Sequence, residues 1–247
     1  MTRRQLGIWV AFVLALVAGS AIGLRALARA RRFQVFGRLV SQVSTRDSLV
    51  ALTFDDGPTE LMTDSILGVL RAHGVRATFF VTGNELAKNR TAGARLVNAG
   101  QELANHSYSH RRMLAMSPAH LRAEIARTDT LIRAAGERGT IYFRPPYGLK
   151  LIGLPWVLWR AGRTTVTWSL EPDSRTRATR DEIIRDVLQH VEPGSILLLH
   201  IWYPSRASSR AALSPLLDSL HARGYRVVSL DQLFAASLTN AEAAERP

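Results

Sequence analysis

The sequence predicts an α/β fold, with about seven parallel strands that nearly close a barrel, behind one N-terminal helix of membrane-spanning length. Three observations carry this reading. Short apolar runs rich in Val, Ile, Thr and Phe alternate with amphipathic stretches that carry helix caps, the pattern of buried parallel strands joined by helices. Asp55, Asp56, His106, Arg144, Glu171 and His200 each fall at or just past the end of one such run, and that rim is where α/β barrels gather their active sites. The 247 residues suffice for one large domain with a full core.

From Leu6 to Leu24 the chain has no charge, and Arg3 and Arg4 precede the run. About twenty apolar residues span a bilayer core as a helix. A cleaved signal peptide has the same charged start and a shorter apolar region. Ala18-Gly19-Ser20-Ala21 offers small residues for cleavage, yet the apolar run continues through Ile22 and Leu24. Residues 1–24 therefore read as an anchor or signal segment, with an uncleaved anchor through residues 6–24 favoured. Residues 25–46 read as a juxtamembrane linker. Residues 47–247 form the expected domain, extracytoplasmic if the segment anchors it and secreted if the segment is cleaved.

The expected strands within it are Leu49–Phe54, Ala77–Val81, Gln101–Asn105, Ile141–Arg144, Thr164–Leu170, Ser195–His200 and Arg226–Leu230. Helices lie between them. Thr63–His73 stops at Gly74, a favourable residue just past a helix end. Ser117-Pro118 gives an N-cap and a first-turn proline for a helix reaching about Ala135. Thr179 and Glu182 form a capping box for a helix to about Val191. Pro215–Arg223 ends at Gly224.

The formal net charge is +12. Eight arginines and no acid in residues 1–46 supply +8 of it, which leaves +4 for the remainder. The excess thus flanks the apolar segment, and no aromatic-interleaved basic stripe is present, so nucleic acid is not an expected partner. There is no cysteine, which excludes disulfides and thiolate metal sites. No oligomeric state follows from the sequence.

Four motifs carry the chemistry. In Thr53-Phe54-Asp55-Asp56-Gly57-Pro58, adjacent carboxylates end a strand at a Gly-Pro turn. Inside a strand they would point to opposite faces, whereas at the turn both can converge on one cleft. Close carboxylates repel unless a cation or shared proton relieves them, which suits one as a metal ligand and the other as a base. His106 and His110, four apart, with Asp56 would make a His-His-Asp site with a fourth position open, as a catalytic zinc-like ion requires. Phe143-Arg144-Pro145-Pro146-Tyr147-Gly148 is a rigid loop in which the prolines lack N–H groups, leaving Tyr147 and Gly148 as oxyanion donors. Ile196–His200 is a buried run that ends in His on the same rim. His73 sits at a predicted helix C-terminus, where a cation favourably meets the dipole, and His120, His190 and His221 lie on predicted helices without partners.

Taken together, these motifs resemble the polysaccharide deacetylase family, the NodB-homology carbohydrate esterases, over roughly residues 47–232. The resemblance implies an incomplete, distorted (β/α) barrel. It implies Asp55 as catalytic base, with Asp56, His106 and His110 as ligands of one divalent transition metal: zinc first, with cobalt or nickel as alternatives. Arg144 would orient the base, the Tyr147 N–H would serve the oxyanion hole, and His200 would be the general acid. The implied reaction is hydrolysis of N-acetyl groups on an acetylated amino-sugar polymer such as peptidoglycan, a chitin-like chain or an exopolysaccharide. One motif departs: where the family places Asp-x-x-Asp-Trp, this chain has Glu171-Pro172-Asp173-Ser174-Arg175. Either Asp173 orients His200 or His200 is less well tuned, and Trp202 or Tyr203 is expected to supply the missing aromatic wall. The departure keeps two alternatives open, an O-acetyl carbohydrate esterase and a membrane-tethered glycan-binding pseudoenzyme.

Overall fold

The computed structural model describes residues 2–174 and 178–244. The elements run α1 (Arg3–Arg29), β1 (Leu39–Val40), β2 (Leu49–Asp55), α2 (Glu60–Ala72), β3 (Thr78–Val81), α3 (Gly83–Lys88), α4 (Arg90–Asn98), β4 (Glu102–Asn105), α5 (Pro118–Ala134), α6 (Gly153–Arg160), β5 (Thr165–Val166), α7 (Arg180–His190), β6 (Ile196–His200), α8 (Ala207–Ala222), β7 (Arg226–Val228) and α9 (Leu230–Ala244). Helix α1 is long and apolar enough to cross a membrane by length and composition; at 27 residues it extends about 40 Å.

All strand ladders are parallel. Strand β2 is central, flanked by β6 on one side and by β3 and β7 on the other, and β4 lies outside β3. Strands β1 and β5 form a separate two-stranded ladder. Isolated bridges Asn105–Phe143, Phe143–Thr165 and Leu170–Leu197 join it to the main sheet. The expected seven-strand barrel is therefore a five-stranded sheet and a two-stranded ladder, stitched by single pairs. Expected strand Ile141–Arg144 is reduced to the bridge at Phe143, because Pro145 and Pro146 have no N–H with which to continue a ladder. The segment expected as a linker contributes β1, and Val43 within it is buried.

Most helices lie close to expectation. Ser117 accepts from the His120 N–H, and Thr179 and Glu182 form the capping box. Helix α8 starts eight residues earlier than the proline suggests, and Pro215 sits inside it. Its buried Ala212, Leu213, Leu216, Leu217 and Leu220 keep one apolar face continuous across the proline.

Side-chain alternation sorts the core into two layers. Val50, Leu52, Phe54, Phe79, Leu103, Leu197 and Leu199 pack outward against the helices. Leu49, Ala51, Phe80, Ala104, Tyr142, Val166, Ile196 and Leu198 pack together on the inner face with Leu230, Leu233 and Phe234 of α9. Period two then places Asp55, His106, Arg144 and His200 in register with the inner set.

Candidate active site

Four strand ends meet at one cleft of about 520 Å³, lined by Asp55, Asp56, His106, His110, Tyr147 and His200 among others. Asp55 and His200 are Cα partners across the β2–β6 ladder. Asp56, one residue on, has the wrong parity for the inner face. A positive φ of 73° turns the backbone at this residue, and its carboxylate meets His110 at 3.4 Å. Among the described residues the other non-glycine residues with positive φ are Ser107, His110 and Tyr147. All four belong to the site motifs, where local strain is held by surrounding bonds.

Those bonds are visible in the histidine loop. Glu124 Oε2 on α5 accepts from the Tyr108 N–H at 3.0 Å, the Ser109 N–H at 2.8 Å and the Ser109 hydroxyl at 3.0 Å. Asn105 Oδ1 accepts from the Ser107 N–H at 2.8 Å, and Ser107 Oγ accepts from the His110 N–H at 3.1 Å. Sequence reasoning missed Glu124 and Asn105. Glu124 lies mid-helix and only tertiary packing brings it under the loop.

Asp56, His106 and His110 each offer a ligand atom, all within 4.8 Å of one another. Two ligands about 2.1 Å from a tetrahedral ion stand about 3.4 Å apart, which is the His110–Asp56 separation. His106 Nδ1 lies 2.8 Å from the Arg144 carbonyl. A carbonyl only accepts, so Nδ1 carries a proton, which leaves Nε2 as the nitrogen that a neutral imidazole would offer to a metal. The His110 imidazole is pushed down to about 4 by burial and by His106 beside it, against the pull of Asp56 and Asp55, so it is neutral near pH 7. The donor set fits a divalent transition metal.

Asp55 is held differently. Arg144, fully buried, donates to Asp55 Oδ1 at 2.6 Å, to Thr53 Oγ1 at 2.9 Å and to the Thr167 carbonyl at 3.0 Å. Its guanidinium also lies 3.9 Å from the Phe80 ring centroid. Burial pushes the Asp55 carboxyl up, but Arg144, His106 and His200 outweigh it and hold it below the usual range. It is therefore ionised throughout the neutral region.

The altered fourth motif resolves at Asp173. This buried carboxylate accepts from the His200 N–H at 2.7 Å, from Ser209 Oγ at 2.8 Å and lies 3.1 Å from His200 Nδ1. Burial lowers the His200 pKa, and the Asp173 hydrogen bond and charge, with Asp55 and Asp56, raise it further than burial lowers it. Glu171 does not join this pair: it meets Arg31 at 2.9 Å and the Trp168 indole at 2.9 Å. Ser209 and Arg206, which donates to the Asp173 carbonyl at 2.8 Å, were invisible in sequence because no motif links them to the rim. Arg175 lies outside the described residues.

Tyr147 is 57% exposed on the cleft rim, its ring 4.7 Å from that of His110. Gly148 and Leu149 donate to the Pro145 and Pro146 carbonyls, while the Tyr147 N–H has no backbone acceptor among the described residues. The expected aromatic wall requires correction. Trp202 is 2% exposed and belongs to the core, its ring packed on Phe79 and directly beneath Gly57. By count residue 202 has the inner parity of Leu198 and His200, but the chain turns after β6 and sends its ring to the outer core with Leu197 and Leu199, so proximity in sequence to His200 did not mean proximity to the cleft. Tyr203 is half-exposed and outside the cleft lining; burial and the nearby Asp56 push its hydroxyl up to about 12. Besides Tyr147, the aromatic that lines the cleft is Trp168, two residues past β5 and just before the altered motif.

Comparison with known proteins follows the same lines. The family profile for polysaccharide deacetylase matches residues 42–166. A chitooligosaccharide deacetylase from Bradyrhizobium sp. (strain ANU 289) is 36% identical over 196 residues, covering 74% of this chain and 90% of the relative. The crystal structure of the Bc1960 peptidoglycan N-acetylglucosamine deacetylase superposes with a TM-score of 0.74 at 30% identity, over 79% of this chain and 92% of that one. A CE4 family pseudoenzyme from Bacillus anthracis superposes at 0.73 with 26% identity, over 81% of this chain and 69% of that one. The rim geometry, the sequence match and the shared fold agree, and this chain belongs to the polysaccharide deacetylase family.

Proposed function

We propose that this protein is a metal-dependent hydrolase that removes N-acetyl groups from an acetylated amino-sugar polymer and releases acetate, anchored by α1 with the catalytic domain outside the cytoplasm. The single observation that carries the reading is the meeting of three ligand atoms from Asp56, His106 and His110 within 4.8 Å, between a base held by Arg144 and an acid held by Asp173. When bound there, a divalent transition metal, zinc first, supplies Lewis-acid chemistry that acidifies water and polarises a carbonyl.

The chain's own residues do the rest. Asp55 takes a proton from the attacking water. A carboxylate held below its usual range is a weak base, so it needs an acidified water, which is why it sits beside the ligand triad. The Tyr147 N–H is suited to the oxyanion that develops on the acetyl group. His200 gives its proton to the departing amine. An amine leaves poorly without that proton, while an ester oxygen depends on it less. The raised, Asp173-supported His200 therefore favours the amide reaction over O-deacetylation, and the intact Asp55 and His200 favour turnover over the pseudoenzyme reading.

The test is metal content and acetate release by the purified full chain, with N-acetyl and O-acetyl glycans compared. Asp55→Asn and His200→Ala are expected to retain metal and lose about a hundredfold to ten-thousandfold in rate, whereas His106→Ala loses both. Full activity in Asp55→Asn, or a metal-free enzyme of normal rate, overturns the proposal.

A further inference from the structure

The segment that leaves α1 forms part of the cleft wall. Arg29, in the last turn of α1, and Arg31 both line the cleft. The domain grips this exit closely. Ala28 is buried and its carbonyl accepts the Lys150 N–H at 3.0 Å. The buried Lys150 ammonium donates to the Ala30 carbonyl, and Thr167 Oγ1 donates to the Arg31 carbonyl at 2.6 Å. The uncharged run ends at Leu24, five residues before Arg29, which is about 7.5 Å of helical rise. A cleft wall so close to the apolar segment stands at the level of lipid headgroups once α1 spans a bilayer.

A second observation points the same way. Beyond Leu149, on the cleft, and Lys150, at the clamp, the chain turns an apolar facet outward. Ile152, Trp156 and Trp159 are 55%, 37% and 50% exposed, and Phe36 stacks on Trp159 at 5.7 Å. Trp156 and Trp159, three apart on α6, are neighbours on its surface. Tryptophan concentrates at the membrane–water boundary, where its ring is half in each phase.

The cleft arginines supply the third. Arg31 pairs with Glu171 and Arg206 holds the Asp173 carbonyl. Arg112 lies 5.5 Å from the Tyr147 ring centroid, and neither it nor Arg29 has an acidic partner among the described residues. Two uncompensated guanidinium groups beside the reacting centre suit a phosphate, which Arg binds in a planar, two-point fashion.

We infer that the cleft is seated at the bilayer surface and takes its N-acetylated saccharide while the sugar is attached to a lipid through phosphate. The lipid chain stays in the membrane, the phosphate meets Arg29 and Arg112, and the acetamido group reaches Asp55 and His200. This rests on the deacetylase reading and on α1 spanning the bilayer.

The experiment uses the full chain in lipid nanodiscs, carrying Asp55→Asn so that binding is read without turnover. Three probes share one N-acetylglucosamine disaccharide: one on a polyprenyl phosphate, one on a neutral polyprenyl ether, and one phosphorylated but without lipid. The polyprenyl phosphate form is expected to bind at least tenfold more tightly than either other probe, and Arg29→Gln with Arg112→Gln to remove that preference. Equal affinity for the neutral ether overturns the phosphate contact, and equal affinity for the lipid-free phosphate overturns the membrane route. Tryptophan fluorescence should be quenched by lipids brominated near the headgroup, less so in Trp156→Phe with Trp159→Phe; unchanged quenching overturns the seating. Acetate release by the wild-type chain is measured separately, so a failed deacetylase reading shows as lost turnover with the binding preference intact.

Discussion

Replacing Asp173 by Asn isolates what the altered fourth motif does. The carboxylate accepts three hydrogen bonds, from the His200 N–H, the His200 ring and Ser209, and asparagine is close to it in size. Its oxygen can still accept from the His200 N–H or Ser209, so the backbone of β6 keeps its support. What disappears is the negative charge facing His200 Nδ1 at 3.1 Å. A hydrogen bond to a charged group contributes about 1.5–3 kcal/mol, which is roughly 10- to 150-fold in the equilibrium between imidazolium and imidazole. The sign follows from the acid role. His200 is held above its ordinary value, so the protonated form survives above the usual imidazole range and activity falls as pH rises through the raised value. Asp173→Asn should move that alkaline limb to lower pH and reduce kcat on the alkaline side by roughly that factor, with metal content unchanged. The assay is acetate release at saturating substrate across the pH range, beside a thermal melt to confirm folding. A kcat–pH profile that superimposes on wild type would refute the argument that Asp173 tunes the acid.

Three further expectations concern the fold around the site. Arg144→Met leaves Asp55 buried without its partner, and breaking a buried pair this way costs about 3–5 kcal/mol; urea unfolding should show it, with part of the loss recovered when Asp55→Asn is added. Trp202→Ala should lower stability by about 3–5 kcal/mol through the cavity left under Gly57, while KM for glycan in the folded fraction stays within about twofold; a large KM rise with full stability would restore the aromatic-wall reading. Glu102, pushed up to about 8 by burial and by Asp231, takes up a proton on folding between its ordinary value and that figure. Stability should therefore fall as pH rises across that window, and Glu102→Gln should flatten the curve, gaining up to about 5 kcal/mol above pH 8. A pH-independent wild-type melt between pH 5 and 8 contradicts this.

The inner-face residues were legible from the sequence because a strand has a period of two. Leu49, Ala51, Thr53 and Asp55, or Ile196, Leu198 and His200, can be assigned to one face by counting. The helix caps at Ser117 and Thr179 were legible because they involve only residues within one turn. The Asp-Asp turn was legible as chemistry, since two carboxylates at a strand end need a reason. Trp202 was misplaced because one turn past β6 is enough to send a side chain from the cleft into the core, and nothing local records that turn.

Sequence by itself determined the strand and helix alternation, the identity of the residues on the rim and the membrane-length N-terminal run, since each depends on neighbours along the chain. Tertiary structure alone decided that Asp173 serves His200, that Glu124 clamps the histidine loop, and that Arg29 and Arg31 stand in the cleft wall. Those contacts join residues 15 to 140 positions apart, and their geometry depends on how layers pack rather than on any local pattern.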